Sequence, residues 1–231
     1  MKSPPVQAAP LQPVALVTGA SRGIGFSIAE ILRSRGITVI TPTRAEMDLS
    51  DSAKVLAWLE GSRPTIDILI NNAGENPVGP FTELALETWQ RVVSTNLTAP
   101  MLLMQHLGRS MGSRHWGRIL NISSCYSRVA RTGRAPYGAT KAALNSLTRS
   151  VALELAGQGV LVNSLLPGFV ETDLTRRNNT AEQIRGLASQ IPLGRLADPG
   201  EIARFAAFLA SPENTYITGQ SLVIDGGFLI Q

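Results

Sequence analysis

Short apolar runs alternate along this chain with longer stretches in which apolar residues recur every three or four positions. Residues 14–18, 37–41, 66–70, 117–124, 160–166 and 221–224 are runs of four to eight residues rich in Val, Ile and Leu. Such continuous runs are expected of strands buried on both faces. Helical spacing lies between them: Ile24, Ile28, Ile31 and Leu32, then residues 52–60, a long amphipathic segment at 86–111, the run Ala142, Ala143, Leu144, Leu147, Val151 and Leu155, and residues 201–209. The pattern predicts an α/β protein, a doubly wound parallel sheet of about six strands with helices on both faces. With 231 residues and 44 % hydrophobic content, one domain over residues 14–231 fits better than two. Four prolines among the first thirteen residues make 1–13 a loose tail.

One spacing is too short. Six residues separate Thr41 from Asp48, and a parallel strand needs a crossover of about a dozen or more. No helix is expected between Pro42 and Asp48, a third strand is lost or reduced to a stub, and residues 37–41 fall at or next to the sheet edge. The stretch from 174 to 196 is long and polar, as substrate loops and lids tend to be.

Composition narrows the function. The formal charge of +4 is modest and the arginines are scattered, with no run of five like charges, so nucleic-acid binding is not expected. No 18-residue apolar stretch and no apolar block of signal-peptide length occur, which predicts a cytoplasmic protein without membrane association. Cys125 is the single cysteine, so an intrachain disulfide is impossible; it reads as a small packing residue. Met101, Met104 and Met111 read as core filler, and no metal site is expected.

The candidate chemistry sits where runs of the two kinds meet. Gly19-Ala20-Ser21-Arg22-Gly23-Ile24-Gly25 lies between the first strand and the first helix. Glycines let the backbone approach a pyrophosphate, and the helix start offers free N–H groups, so a Rossmann-like dinucleotide site is expected. After the second strand, Pro42-Thr43-Arg44 carries no acid to meet a ribose hydroxyl. Arg44 and Arg22 instead suit a 2′-phosphate, which favours NADPH. Asn71-Asn72-Ala73-Gly74 ends the third run at the edge of the sheet where ligands sit. Tyr137 and Lys141, four apart, share one helix face. A cation beside a phenol of pKa about 10 lowers that value, which makes Tyr137 a candidate proton donor to a carbonyl. A bare Tyr-x-x-x-Lys reads more simply as an ordinary helix start with a surface lysine, so the case rests on what else the chain supplies.

Taken together, Thr18-Gly19-x-x-x-Gly23-x-Gly25, Asn71-Asn72-Ala73-Gly74, Asn96, Ser124, Tyr137-x-x-x-Lys141 and Pro167-Gly168 resemble, in this order, the short-chain dehydrogenase/reductase family. The later half, with Pro167 to Arg176 and Tyr216-Ile217-Thr218-Gly219-Gln220, looks most like bacterial 3-oxoacyl-acyl-carrier-protein reductases. The resemblance implies Ser124 as the serine that holds the substrate oxygen, thirteen residues before the tyrosine, with Ser123 on the other strand face. It implies Tyr137 as the acid, Lys141 as its partner and a holder of the nicotinamide ribose, and Asn96 as the residue that orders a relay water. Gly19, Ser21, Arg22, Ile24, Asp48, Leu49, Asn72, Gly74 and Val170 map onto cofactor contacts. His106 and His115 have no family role. The chain departs from its relatives in the shortened second crossover and in Arg128, Arg131 and Arg134, which stand in the segment beside the substrate.

These readings converge on an NADPH-dependent carbonyl reductase acting on a small or carrier-bound substrate, a 3-oxoacyl thioester or another keto compound such as a nucleotide sugar. An alcohol, polyol or sugar dehydrogenase running in the oxidative direction shares every catalytic residue. A non-catalytic dinucleotide sensor would be expected to break the Asn-Ser-Tyr-Lys set, which is whole. The family also implies a homodimer or homotetramer, built by helix pairs from 86–111 and 137–156 and by the last strand.

Overall fold

The computed structural model describes residues 9–61 and 65–230. Residues 1–8 of the tail read from the sequence lie outside the described residues. Pro13 is buried, and its carbonyl accepts a hydrogen bond from Thr38.

Six parallel strands form the sheet among the described residues: β1 (Val14–Val17), β2 (Thr38–Ile40), β3 (Ile68–Asn71), β4 (Gly117–Ile122), β5 (Val160–Pro167) and β6 (Ser221–Ile224). Their order is β2-β1-β3-β4-β5-β6. The helices are α1 (Gly23–Ser34), α2 (Ser52–Glu60), α3 (Leu86–Val93), α4 (Ala99–Ser113), α5 (Ala135–Leu155), α6 (Asp173–Asn178), α7 (Ala181–Ala188) and α8 (Pro199–Leu209). Alternate strand residues feed two cores. Ala15, Val17, Ile68, Ile70, Leu120 and Ile122 pack with α1 and α8 on one face. Leu16, Leu69, Ile119, Val160 and Val162 pack with α2, α4 and α5 on the other. With both faces covered, neither set needs a polar alternate, which is why the strands read as unbroken apolar runs.

The short crossover has the expected consequence. β2 is the edge strand, three residues long and partly exposed, and residues 44–46 form a turn where a helix has no room. The Glu46 carboxylate accepts from the N–H and hydroxyl of Thr43 to close that turn. Asp51 then caps α2, accepting from the N–H groups of Ala53 and Lys54.

In two places the structure differs from the sequence reading. The segment 86–111 is not one helix: a π turn at Ser94–Thr98 divides α3 from α4. Pro100, four residues beyond Asn96, has no N–H to give the Asn96 carbonyl, so a regular α-helix loses a bond there. The polar stretch 174–196 is largely helical. Thr172 caps α6, and Thr180 with Gln183 forms a capping box at α7, a local signal that outweighs the low hydrophobicity.

Candidate active site

All the strand ends that carry motif residues open into one cavity of about 650 Å³. Its walls include Gly19, Ser21, Arg22, Ile24, Arg44, Asp48, Leu49, Asn72, Gly74, Ser124, Tyr137, Lys141 and Val170. Asn96 stands just behind the wall: it is fully buried, and its amide lies 3.4 Å from where a side chain on Gly74 would begin.

At one end the cavity is lined by backbone. Gly19 has φ +65°, and a Cβ there would come within 2.8 Å of the Ala73 Cα, so the β1 and β3 loops touch only because the position is glycine. Thr18 and Asn72 clamp the two loops. The Thr18 hydroxyl accepts from the N–H groups of Asn72 and Ala73 at 3.0 and 3.1 Å, and the Asn72 amide donates to the carbonyls of Thr18 and Gly19, each at 3.0 Å. Thr18 belongs to the glycine motif, yet no spacing argument marks it as the residue that aligns the loops. The N-terminus of α1 has no side-chain cap and no acid in its first turn. Its free N–H groups and positive dipole end suit a phosphate. Beyond it, Arg44 is exposed and held by Asp48 at 3.3 Å. The Asp48 carboxylate also accepts from the hydroxyl and N–H of Ser50, and these bonds hold it below the usual carboxylate range. The residues at this end fit a dinucleotide with an extra phosphate near Arg44.

The π turn aims Asn96 inward. Its Oδ1 accepts from the Glu75 N–H at 2.8 Å, and its Nδ2 donates to the Glu75 carbonyl at 2.9 Å and to the Thr140 hydroxyl at 3.3 Å. The amide is thus fully engaged in tying α3–α4 to the β3 loop and α5. Lys141 donates to the Ile122 carbonyl at 2.6 Å, which anchors α5 to the end of β4. The neighbouring Ser123 donates its hydroxyl to the Lys141 carbonyl, which leaves Ser124, half a pleat further on, to serve the cleft with Tyr137.

The electrostatics correct one expectation. Burial, not a neighbouring cation, dominates both ionisable groups: it pushes the Tyr137 phenol up to about 12 and the Lys141 ammonium down to about 8. A hydrogen bond with Ser124 and the charge of Arg134 draw Tyr137 downward, and burial outweighs both. The Lys141 Nζ lies 5.6 Å from the Tyr137 ring centroid and donates to the Ile122 carbonyl. Burial also pushes the Cys125 thiol up to about 11, so the sulfur is a packed neutral group and no nucleophile. His106 and His115 are exposed and outside the cavity.

The far end of the cavity is made of side chains: Tyr126, Arg131 and Arg134 before α5, Phe169 after β5, Asn76 from the β3 loop, and Asn178 from α6. Tyr126 stands edge-on to both Tyr137 and Phe169, with centroids 6.3 and 6.0 Å away. Among the described residues no cluster of His, Cys, Asp and Glu is placed to hold a metal.

A parallel sheet with a glycine turn at its first strand, and a serine, tyrosine and lysine at the opposite wall of one cleft, defines a dinucleotide-dependent oxidoreductase. Known proteins agree. A family model described as "Enoyl-(Acyl carrier protein) reductase" matches residues 42–229. The 3-oxoacyl-acyl-carrier-protein reductase FabG of Vibrio cholerae is 41 % identical, over 93 % of this chain and 96 % of its own. The protein of the same name from Escherichia coli is 38 % identical with the same coverage. An actinorhodin polyketide ketoreductase solved with NADPH superposes with a TM-score of 0.88 at 30 % identity, covering 97 % of this chain and 100 % of the other. The chain belongs to the short-chain dehydrogenase/reductase family.

Proposed function

We propose that this protein is an NADPH-dependent carbonyl reductase of the 3-oxoacyl-thioester type. One observation carries the reading: Ser124, Tyr137 and Lys141 face the same cavity as the uncapped start of α1. Identity to 3-oxoacyl-acyl-carrier-protein reductases along nearly the whole chain supports it. When bound, the cofactor supplies the hydride. Gly19, Ser21, Ile24, Leu49, Asn72, Gly74 and Val170 shape its bed, and Arg22 with Arg44 receives the 2′-phosphate. Ser124 holds the carbonyl oxygen. Tyr137, neutral at pH 7 because its phenol is pushed up to about 12, keeps its proton until that oxygen becomes basic, then donates it. Lys141, drawn down to about 8, is a stronger acid than an ordinary lysine and so gives up a proton readily to the tyrosine side of the cleft. Asn96 fixes the Glu75 backbone behind Lys141 and in this role orders a relay water.

A cytoplasmic location fits this reading, and no helix among the described residues is long and apolar enough to cross a membrane. Assembly as a homodimer or homotetramer fits it as well: Leu86 and Trp89 on α3 and Leu153 on α5 are exposed apolar residues on the helices that would pair.

The test is loss of NADPH absorbance with a 3-oxoacyl thioester, in parallel with the matching 2-enoyl thioester, because the matched family model is described as an enoyl reductase. Consumption of the 3-oxoacyl compound alone is expected. Consumption of the enoyl compound alone would move the reaction from C=O to C=C.

A further inference from the structure

Arg134 stands three residues before Tyr137 and lines the cleft, yet it is only 7 % exposed. Among the described residues its guanidinium makes one hydrogen bond, a long 3.5 Å contact to the Asn76 carbonyl, and no ion pair. Arg131 lines the same end. It donates to the Tyr126 hydroxyl at 3.0 Å, lies 5.8 Å over the Phe169 ring and has no carboxylate partner either. The acids on the cavity wall do not serve these arginines. Glu75 holds Arg91 at 2.7 Å, Asp48 holds Arg44, and Asp173 makes no ion pair with Arg131 or Arg134 among the described residues. A second orphan lies beside them: Asn76 Oδ1 is buried on the same wall with no hydrogen-bond partner among the described residues. A buried cation without a counter-ion is costly, and so is a buried acceptor without a donor. Both costs are relieved if a ligand brings the missing groups.

We propose that the Arg134 and Arg131 end of the cleft is a subsite for an anionic group of the substrate, a carboxylate or phosphate within a few bonds of the carbonyl. Asn76 Oδ1 accepts from a hydroxyl or protonated oxygen of the same molecule. The short reach follows from position, since Arg134 opens the helix whose first turn carries Tyr137 and acts electrostatically on that phenol. A plain acyl chain brings no charge for these side chains. The subsite therefore favours a keto compound whose own acid group stands close to the carbonyl. The proposal builds on the reductase reading for the carbonyl it places, but the anion site itself stands without it.

The test pairs substrates that differ only in charge: 3-oxobutanoate with its methyl ester, and dihydroxyacetone phosphate with dihydroxyacetone. For wild type, kcat/KM with NADPH is expected to favour the anionic member of at least one pair by tenfold or more, and which pair responds separates carboxylate from phosphate. Arg134→Gln should remove that preference through KM: whatever both members lose together through the changed field on Tyr137, the anionic member should lose at least tenfold more than the neutral one. Arg134→Lys should restore part of it, which separates lost charge from lost folding. Equal rates within both pairs, or equal losses for both members in Arg134→Gln, would overturn the subsite. Calorimetric titration with malonate, in the presence of NADP, reads the site without turnover. Binding weakened at least tenfold by Arg134→Gln is expected, and binding unchanged by the substitution would overturn the proposal. Arg134-dependent malonate binding with no ketone reduced would leave the subsite standing and sink the reductase reading instead.

Discussion

At one end of the cleft the groups that face the cavity are mainly backbone: the Gly19 turn, the free N–H groups of α1, and the β3 loop that Thr18 and Asn72 press against them. At the other end they are side chains, Tyr126, Arg131, Arg134, Asn76 and Asn178, brought from three separate stretches of chain. Backbone donors serve a ligand part that does not change, the diphosphate of a dinucleotide. Side chains serve a part that does. Asn76 ties the side-chain end together, for its carbonyl accepts from both Arg134 and Asn178 and so links the segment before α5 to α6. Tyr137 and Lys141 lie between the ends, and damage there should be felt differently from damage at either.

The largest effect is expected at that midpoint. Tyr137→Phe removes the proton and leaves the backbone cradle intact, so turnover should fall about a thousandfold while the NADPH dissociation constant stays within a few-fold. Stopped-flow rates and fluorescence titration check the two halves. Near-normal turnover would remove Tyr137 from the chemistry.

Lys141 gives the next effect, on stability. Its fall from 10.5 to about 8 corresponds to ~3 kcal/mol at about 1.4 kcal/mol per unit. Below pH 8 this burial penalty is present in full. Between pH 8 and 10 the unfolded chain keeps the lysine proton and the folded chain does not, so wild-type stability should climb with pH through that window. Two raised groups take back part of the climb. Over the same range the unfolded chain gives up the Cys125 proton that the folded chain keeps, and near pH 10 the Tyr137 proton as well, but the lysine has the larger shift and the net slope stays upward. Lys141→Met should be inactive, more stable at pH 7 and without the climb. Urea melts of the cofactor-free protein at pH 7 and 9.5 decide it, and a flat wild-type profile would contradict the assignment.

The smallest effect belongs to the dinucleotide end. Arg44→Gln should weaken NADPH by about tenfold, the scale of one charged hydrogen bond, and leave NADH nearly unchanged. Because Arg44 is exposed, with a side chain 73 % accessible, the difference should shrink as salt rises above 0.1 M, where screening acts over about 10 Å. Equal losses for both cofactors would place the 2′-phosphate elsewhere.

Much of this arrangement is local and was readable from residues alone. The apolar runs specify strands because a sheet covered on both faces tolerates no polar alternate, and the six residues from Pro42 to Met47 forbid a crossover helix by length alone. The glycine turn announces its ligand because only glycine fits the Gly19 conformation against Ala73. Four-residue spacing placed Tyr137 and Lys141 on one face. It did not decide how they act, since the direction of each shift depends on burial by β4 and its loop, which no spacing reports. The π turn that swings Asn96 onto Glu75 was hidden as well, because one extra residue per turn barely disturbs hydrophobic periodicity. The unpaired state of Arg134 is the clearest case. An arginine in a sequence is a surface residue until the fold buries it, and only the assembly of the β3 loop, α6 and the segment before α5 around one cavity leaves its charge without a partner.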